Sequence, residues 1–132
     1  MTLYVELVAP DREVWAGDAQ RVIAKTLDGD IGILTGHAPV LGILAEGNVV
    51  RILPEGEQPG AEVLTAVGGG FLAVADDRVS ILARRAQLGS AVDRAVTQAA
   101  LDAALEAVGP GGDETADIRY LRAQLRAAGD RA

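Results

Sequence analysis

Residues 29–47 read GDIGILTGHAPVLGILAEG. These nineteen residues hold two turn signals, two short β-like apolar runs and the only histidine of the chain. Asp28-Gly29, at its entrance, is a strong hairpin dipeptide, because glycine tolerates φ > 0. No nucleophile–base pair, metal-ligand cluster or phosphate loop accompanies the pattern. A stretch this organised and this poor in reactive groups points to a scaffold or a binding surface rather than to an active site.

Outward from it, from residue 2 to about residue 86, apolar residues recur with period two. Leu3, Val5 and Leu7 alternate with Tyr4, Glu6 and Val8, and Pro10-Asp11 turns the chain before Glu13-Val14-Trp15. Further β-rich runs are 20–27, 31–34, 40–44, 49–53, 63–67, 71–75 and 79–83. Glu55 to Gly60, with Pro54 and Pro59, is a polar turn and Asp76-Asp77 a tight connection. Short strands separated by Gly, Pro and Asp turns predict a β-sandwich or barrel.

After residue 90 the period becomes helical. Ser90 suits an N-cap and Asp93 a first turn. Val92, Val96, Ala99 and Ala103 form a stripe that Leu101, Leu105 and Val108 widen. Gly109-Pro110-Gly111-Gly112 stops this helix, and a second begins near Asp113 or Thr115, with Ile118, Leu121, Leu125 and Ala128 on one face. Two helices with a short Gly-rich connection predict an antiparallel αα-hairpin. The expected fold class is therefore a β-sandwich N-terminal domain (1–87) followed by a C-terminal two-helix hairpin (88–132). Antiparallel pairing would set Arg119 and Arg122 opposite Glu106 and Asp102. Such exposed pairs contribute only ~0.2–1 kcal/mol each, so they select register more than they stabilise. Helices of this length are marginal in water, and a seam rich in alanine buries few methylenes. The hairpin thus needs a surface to lie on and can leave it at modest cost, which is what a two-state element requires.

Composition narrows the function. Hydrophobic residues are 49% and aromatics 3%, so the core must be aliphatic. A net charge of −7 argues against general nucleic-acid binding and against anionic membrane surfaces. The absence of cysteine excludes disulfides and thiolate chemistry, and a single histidine excludes a multi-histidine metal site within one chain, which also removes a cupin-like enzyme. The opening MTLYVELVAP has no basic n-region or long apolar h-region, and no run approaches the ~18 apolar residues of a membrane span. A soluble cytoplasmic protein, able to ride on a membrane complex, is expected. Lys25 stands alone against eleven arginines, with Ala and Gly abundant, which suits a GC-rich bacterial genome.

Several residues invite sharper readings. His37 has no catalytic partner fixed nearby and reads as a turn residue that touches a partner. Gly68-Gly69-Gly70 precedes a strand, not a helix, so it reads as tight packing or a bulge rather than a phosphate loop. Asp76-Asp77 and Asp28 with Asp30 lack the spacing of a calcium loop and read as turns. Trp15 reads as a core anchor, and Arg84-Arg85 as a strand end.

The segment from Gly29 through Gly36-His37-Ala38-Pro39 resembles the signature of the epsilon subunit of F-type ATP synthases. Leu7 to Gly17 resembles that family's opening strands, 66–74 (AVGGGFLAV) its second glycine motif, and 79–83 (VSILA) its last strand. The likeness runs in order over residues 3–86, and the Asp-Arg-Glu-Val-Trp run is actinobacterial in flavour. The resemblance implies a flattened sandwich at the foot of a central stalk, bound to the gamma subunit and to the c-ring. It implies a non-catalytic rotor part that couples proton-driven rotation to ATP synthesis elsewhere, on the cytoplasmic face of the membrane. It also implies helices that reach the alpha and beta subunits and restrain ATP hydrolysis. Residue by residue, Asp30 falls at the acidic position facing the ring, and His37 at the histidine near gamma. Some members bind ATP on the folded hairpin through an Ile/Leu-Asp-x-x-Arg-Ala motif. Here Val96 stands at the arginine position, leaving Asp93, Arg122 and Arg126 as candidate ATP contacts and no other cofactor.

Overall fold

The computed structural model describes residues 2–129. Alternation sets the first strand: β1 (Leu3–Ala9) turns Leu3, Val5, Leu7 and Ala9 inward. It pairs antiparallel with β2 (Arg12–Thr26) and parallel with β7 (Arg78–Leu88). Where the sequence suggested two runs around Gly17, β2 is one strand of 15 residues. Its successive parts pair with different partners: 12–19 with β1, 19–23 with β5 (Asn48–Pro54) and 22–26 with β3 (Gly29–Ile33). A register shift between Ala19 and Arg21 bends it from one partner to the next. Gly17 does not break the strand, because it serves packing. A Cβ there would stand 3.3 Å from the Trp15 ring, which is half-buried against the core.

The runs 63–67 and 71–75 likewise fuse into β6 (Val63–Ala75) across the glycine triplet. Val67 faces the core before the triplet, and Leu72 and Val74 after it. The inward parity therefore switches from odd to even residues, so the strand turns a corner. Gly70, at φ 127, brings its Cα so close to β7 that a Cβ would lie 1.9 Å from the Leu82 carbonyl oxygen. Asp76 and Asp77, at φ 51 and 60, form the two-residue β6–β7 turn, both left-handed as a type I′ turn requires.

The strand order β1-β7-β6-β5-β2, with β2 returning to β1, closes the sheet into a flattened sandwich. Strand β3 extends beyond β2, and β4 (Val40–Ile43) pairs with the second half of β6. Leu3, Leu7, Ile33, Ile52, Leu72 and Ile81 fill the interior, as an aliphatic composition demands.

A 3₁₀ turn (Gly89–Ala91) leads to α1 (Arg94–Val108) and α2 (Ala116–Ala127). The N-cap of α1 is Asp93, not Ser90. Val92 is still extended at φ −77, ψ 127, so the helix cannot start earlier, and Asp93 Oδ1 accepts the Val96 N–H at 3.1 Å. Thr115 caps α2 by accepting the Ile118 N–H at 3.2 Å. The stripe Val96, Ala99 and Ala103 faces solvent, contrary to its reading as the buried face, and Val96 is 65% exposed. The inner face of α1 is Thr97 and Leu101 with Ala104, Leu105 and Val108, packed on Ile118, Leu121 and Leu125. The leucines carry more methylenes than the alanines, at ~0.8 kcal/mol per CH₂, and take the inside. The expected ion pairs across the hairpin do not form. Asp102 accepts from Gln98, whereas Arg122 meets Glu114 and Arg119 donates to the Glu114 carbonyl. The arginine edge of α2 is rotated towards the sandwich instead of towards α1.

Candidate functional site

Two outer faces of the sandwich differ sharply. On the first, strands β4, β6 and β7 align Ile43, Phe71 and Leu82 in one row. Val8 continues the row in β1, opposite Leu82, and Leu41 stands two residues along β4 from Ile43. Leu41 is 74% exposed, and Ile43, Phe71 and Leu82 are each more than half exposed. Val8, Pro10, Phe71 and Leu82 border an open groove of about 380 Å³. A contiguous apolar surface of this kind is larger than the singly scattered apolar residues of an ordinary surface and suits contact with another molecule. The sequence carried a trace of it: Val40, Leu41, Ile43 and Leu44 are apolar on both faces of one short strand, whereas a one-sided strand alternates with polar residues.

His37 lies beyond the end of β3. The Asp77 carboxylate accepts the Gly36 N–H at 2.7 Å and so ties this loop to the β6–β7 turn. His37 Nδ1 lies 2.7 Å from the Ala38 carbonyl, which can only accept, so Nδ1 is the donor there. Asp30 sits at the other end of β3, exposed and in register with Lys25 of β2. The fold thus sets Asp30 and His37 at separate places.

On the second face, α2 lies against β5 and the first half of β6. Tyr120, Ala123 and Ala127 pack on Ala66, with Val49 and Leu64 beside them. Burial raises the Tyr120 hydroxyl above its ordinary pKa, opposed by the nearby charges of Arg85 and Arg12. Beside this seam, a cleft of about 450 Å³ is bordered by Lys25, Glu46, Glu114, Arg119, Arg122 and Arg126. Arg122 Nε forms an ion pair with the Glu114 carboxylate at 2.6 Å. Arg126 donates to the Gly47 carbonyl at 3.2 Å. Arg122 and Arg126 therefore share one cleft. Asp93 does not border it: its carboxylate caps α1, next to Arg94, which donates to the Ala128 carbonyl at the far end of α2. Arg119 was not singled out from the sequence as a cleft residue, nor were the outward residues of β4, β6 and β7.

Among the described residues no group of three or more His, Cys, Asp or Glu could hold a metal ion, and no helix is long and apolar enough to cross a membrane. This is a sandwich-and-hairpin protein whose surfaces, rather than a pocket of reactive groups, are its distinctive chemistry. The family model for the beta-sandwich domain of the ATP synthase Delta/Epsilon chain matches residues 2–89, and the chain belongs to that family. An ATP synthase epsilon chain of Thermobifida fusca is 50% identical over 128 residues, covering 96% of this chain and 91% of that one. One of Streptomyces griseus is 44% identical, covering 94% and 97%. In fold, the chain is similar to one from the Euglena gracilis mitochondrial ATP synthase, in an OSCP/F1/c-ring structure. The TM-score is 0.69 at 23% identity, covering 98% of this chain and 78% of that one. The epsilon chain of this complex is a stalk subunit and not the catalytic one.

Proposed function

We propose that this chain is a central-stalk rotor subunit of an F-type ATP synthase. The observation that carries the reading is the bare apolar row Ile43–Phe71–Leu82–Val8 with Leu41 beside it, on the face that the hairpin leaves open. That row, with the His37 loop, is the seat for the gamma subunit. Asp30, exposed next to the β2–β3 turn, meets the c-ring. The chain transmits ring rotation to catalytic sites in other subunits, peripheral to the cytoplasmic face of the membrane. Its helices, when they leave the sandwich, reach the alpha and beta subunits and restrain ATP hydrolysis.

The test is a pull-down of the tagged chain from detergent-solubilised membranes of its own bacterium, with ATPase activity assayed. The unaltered chain should recover gamma, c and the catalytic subunits. Phe71→Ser with Leu82→Ser should lose them while the fold persists, because both side chains already face water. A double variant that still recovers every partner removes the row from the interface.

A second reading is supported by the cleft at Arg119, Arg122, Arg126 and Lys25, four cations in one place on an acidic chain. A nucleotide triphosphate held there would fasten the hairpin to the sandwich. Calorimetry with millimolar ATP on the full chain, against Arg122→Ala with Arg126→Ala, tests it: no heat from the unaltered chain removes the reading.

A further inference from the structure

The seat beneath α2 is unusually close. Three glycines outside the helix lie under it: Gly47 and Gly68 under its first half, at Arg119 and Tyr120, and Gly89 of the 3₁₀ turn under its end. A Cβ at Gly47 would stand 2.3 Å from Arg119 Cβ and 2.4 Å from the Arg119 carbonyl carbon. At Gly68 it would meet Tyr120 Cδ1 at 3.1 Å and Arg85 Cγ at 2.8 Å. At Gly89 it would meet the Ala127 carbonyl oxygen at 1.9 Å. The helix therefore rests on backbone, with little side-chain interdigitation to hold it. The apolar seam it does make is largely alanine. Fastening must come from elsewhere.

Arg126 and Gln124 supply hydrogen bonds to the Gly47 carbonyl and to Gln87, and one side chain of β7 grips two residues of α2 at once. The Arg85 guanidinium of β7 lies 4.4 Å from the centroid of the Tyr120 ring, and its Nη1 is 2.9 Å from Asp117 Oδ1. Tyr120 and Asp117 are three residues apart on α2, so they share a face and one planar cation can grip both. The cation–π arm is half-buried and the carboxylate arm is exposed. Since α1 packs on α2 rather than on the sheet, whatever frees α2 frees both helices together.

We propose that Arg85 is the latch of the hairpin: its joint grip on Tyr120 and Asp117 sets the docked–undocked equilibrium of both helices on the glycine seat. The latch gives a regulatory role to a residue that otherwise reads as a solvated strand end. It rests on the reading of the hairpin as a two-state regulatory element.

The experiment is amide hydrogen exchange on the full chain, comparing 94–127 with the strand segment 63–75. Arg85→Gln removes the charge from both arms, and should speed exchange in α1 and α2 together by about fivefold to thirtyfold, leaving β6 unchanged. Arg85→Lys keeps a point charge for Asp117 but loses the planar stack, and should fall between. Tyr120→Phe keeps the ring and should match the unaltered chain at neutral pH. Unchanged hairpin exchange in Arg85→Gln overturns the latch. So does equal acceleration in β6, which would make Arg85 a general stabiliser of the fold. Exchange on the isolated chain reads the latch alone, and partner recovery reads the stalk role, so each can fail without the other.

Discussion

A single methyl group at Gly89 should lift the hairpin off the sandwich. Gly89 is buried at the exit of β7, and a Cβ there would lie 1.9 Å from the Ala127 carbonyl oxygen and 2.5 Å from its carbon. Ordinary contact begins near 3.4 Å, so the groups must separate by about 1.5 Å. The obstructing atoms are backbone in the last turn of α2, which no rotamer change can move. The conformation of Gly89 is not left-handed, so alanine suffers no strain of its own there. The cost falls on docking alone. Overpacking of this kind costs ~1–3 kcal/mol, an increase of about 5–150-fold in the undocked population. Trypsin reads that population, because Arg94, Arg119, Arg122 and Arg126 all lie in the hairpin, while Arg21, Arg51 and Arg78 lie in strands. With fast opening and slow cleavage, the rate tracks the open fraction. Gly89→Ala should be cut in the hairpin faster by that factor, with cleavage in the strands unchanged. Gly32→Ala is the control, since nothing lies within 4 Å of a Cβ there. Hairpin cleavage at the unaltered rate in Gly89→Ala would refute the close seat.

Two other perturbations separate the layers of the molecule. The docked hairpin holds the Tyr120 pKa above its ordinary value of 10.0, through burial. A raised pKa means that the stabilisation from neutral Tyr120 is complete below about pH 10 and is lost as pH climbs through the raised value. Undocking, followed by near-ultraviolet circular dichroism, should therefore increase as pH rises above about 10, and Tyr120→Phe should abolish that dependence; a Phe variant with the same alkaline transition would show that another group drives it. Asp93→Ala deletes the cap of α1 and should cost ~0.5–2 kcal/mol in that helix. Far-ultraviolet dichroism should show fraying, with thermal unfolding of the sandwich unmoved, and a fall in the melting temperature of the sandwich would show that α1 braces the sheet directly.

The sequence made the strands legible because they are one-sided: Leu3, Val5 and Leu7 alternate cleanly, and Asp76-Asp77 and Asp28-Gly29 punctuate them. It misplaced strand ends where one strand serves two partners. Gly17, between two predicted runs, is where β2 takes the Trp15 ring, and the Gly68–Gly70 triplet, read as tight packing or a bulge, is where β6 turns its corner against β7, a contact that depends on distant residues. The face of α1 was misread because periodicity admits two stripes on an alanine-rich helix, and only the presence of α2 decides between them. The candidate site divides in the same way. Arg122 and Arg126 share a cleft because they are one turn apart. The pairing of Arg85 with Tyr120, 35 positions away, depends on sheet register, which no local pattern carries.

Strands β6 and β7 each contribute to both working faces, and the corner at Gly68–Gly70 keeps those faces apart. Before the corner, Ala66 and Gly68 turn outward to receive α2; after it, Phe71 turns outward to the bare row. On β7 the same division falls between Leu82, in the row, and Arg85, at the latch. A partner seated on Phe71 and Leu82 therefore does not compete with α2 for surface. Under the proposed rotor reading, the hairpin would then dock or leave while the sandwich stays bound. At the corner, Gly70 lies where any side chain would strike the Leu82 carbonyl, with the two strands paired on either side of it. A corner packed this closely on β7 ties both faces to one pair of strands, so under the proposed rotor reading the hairpin would be the part that moves.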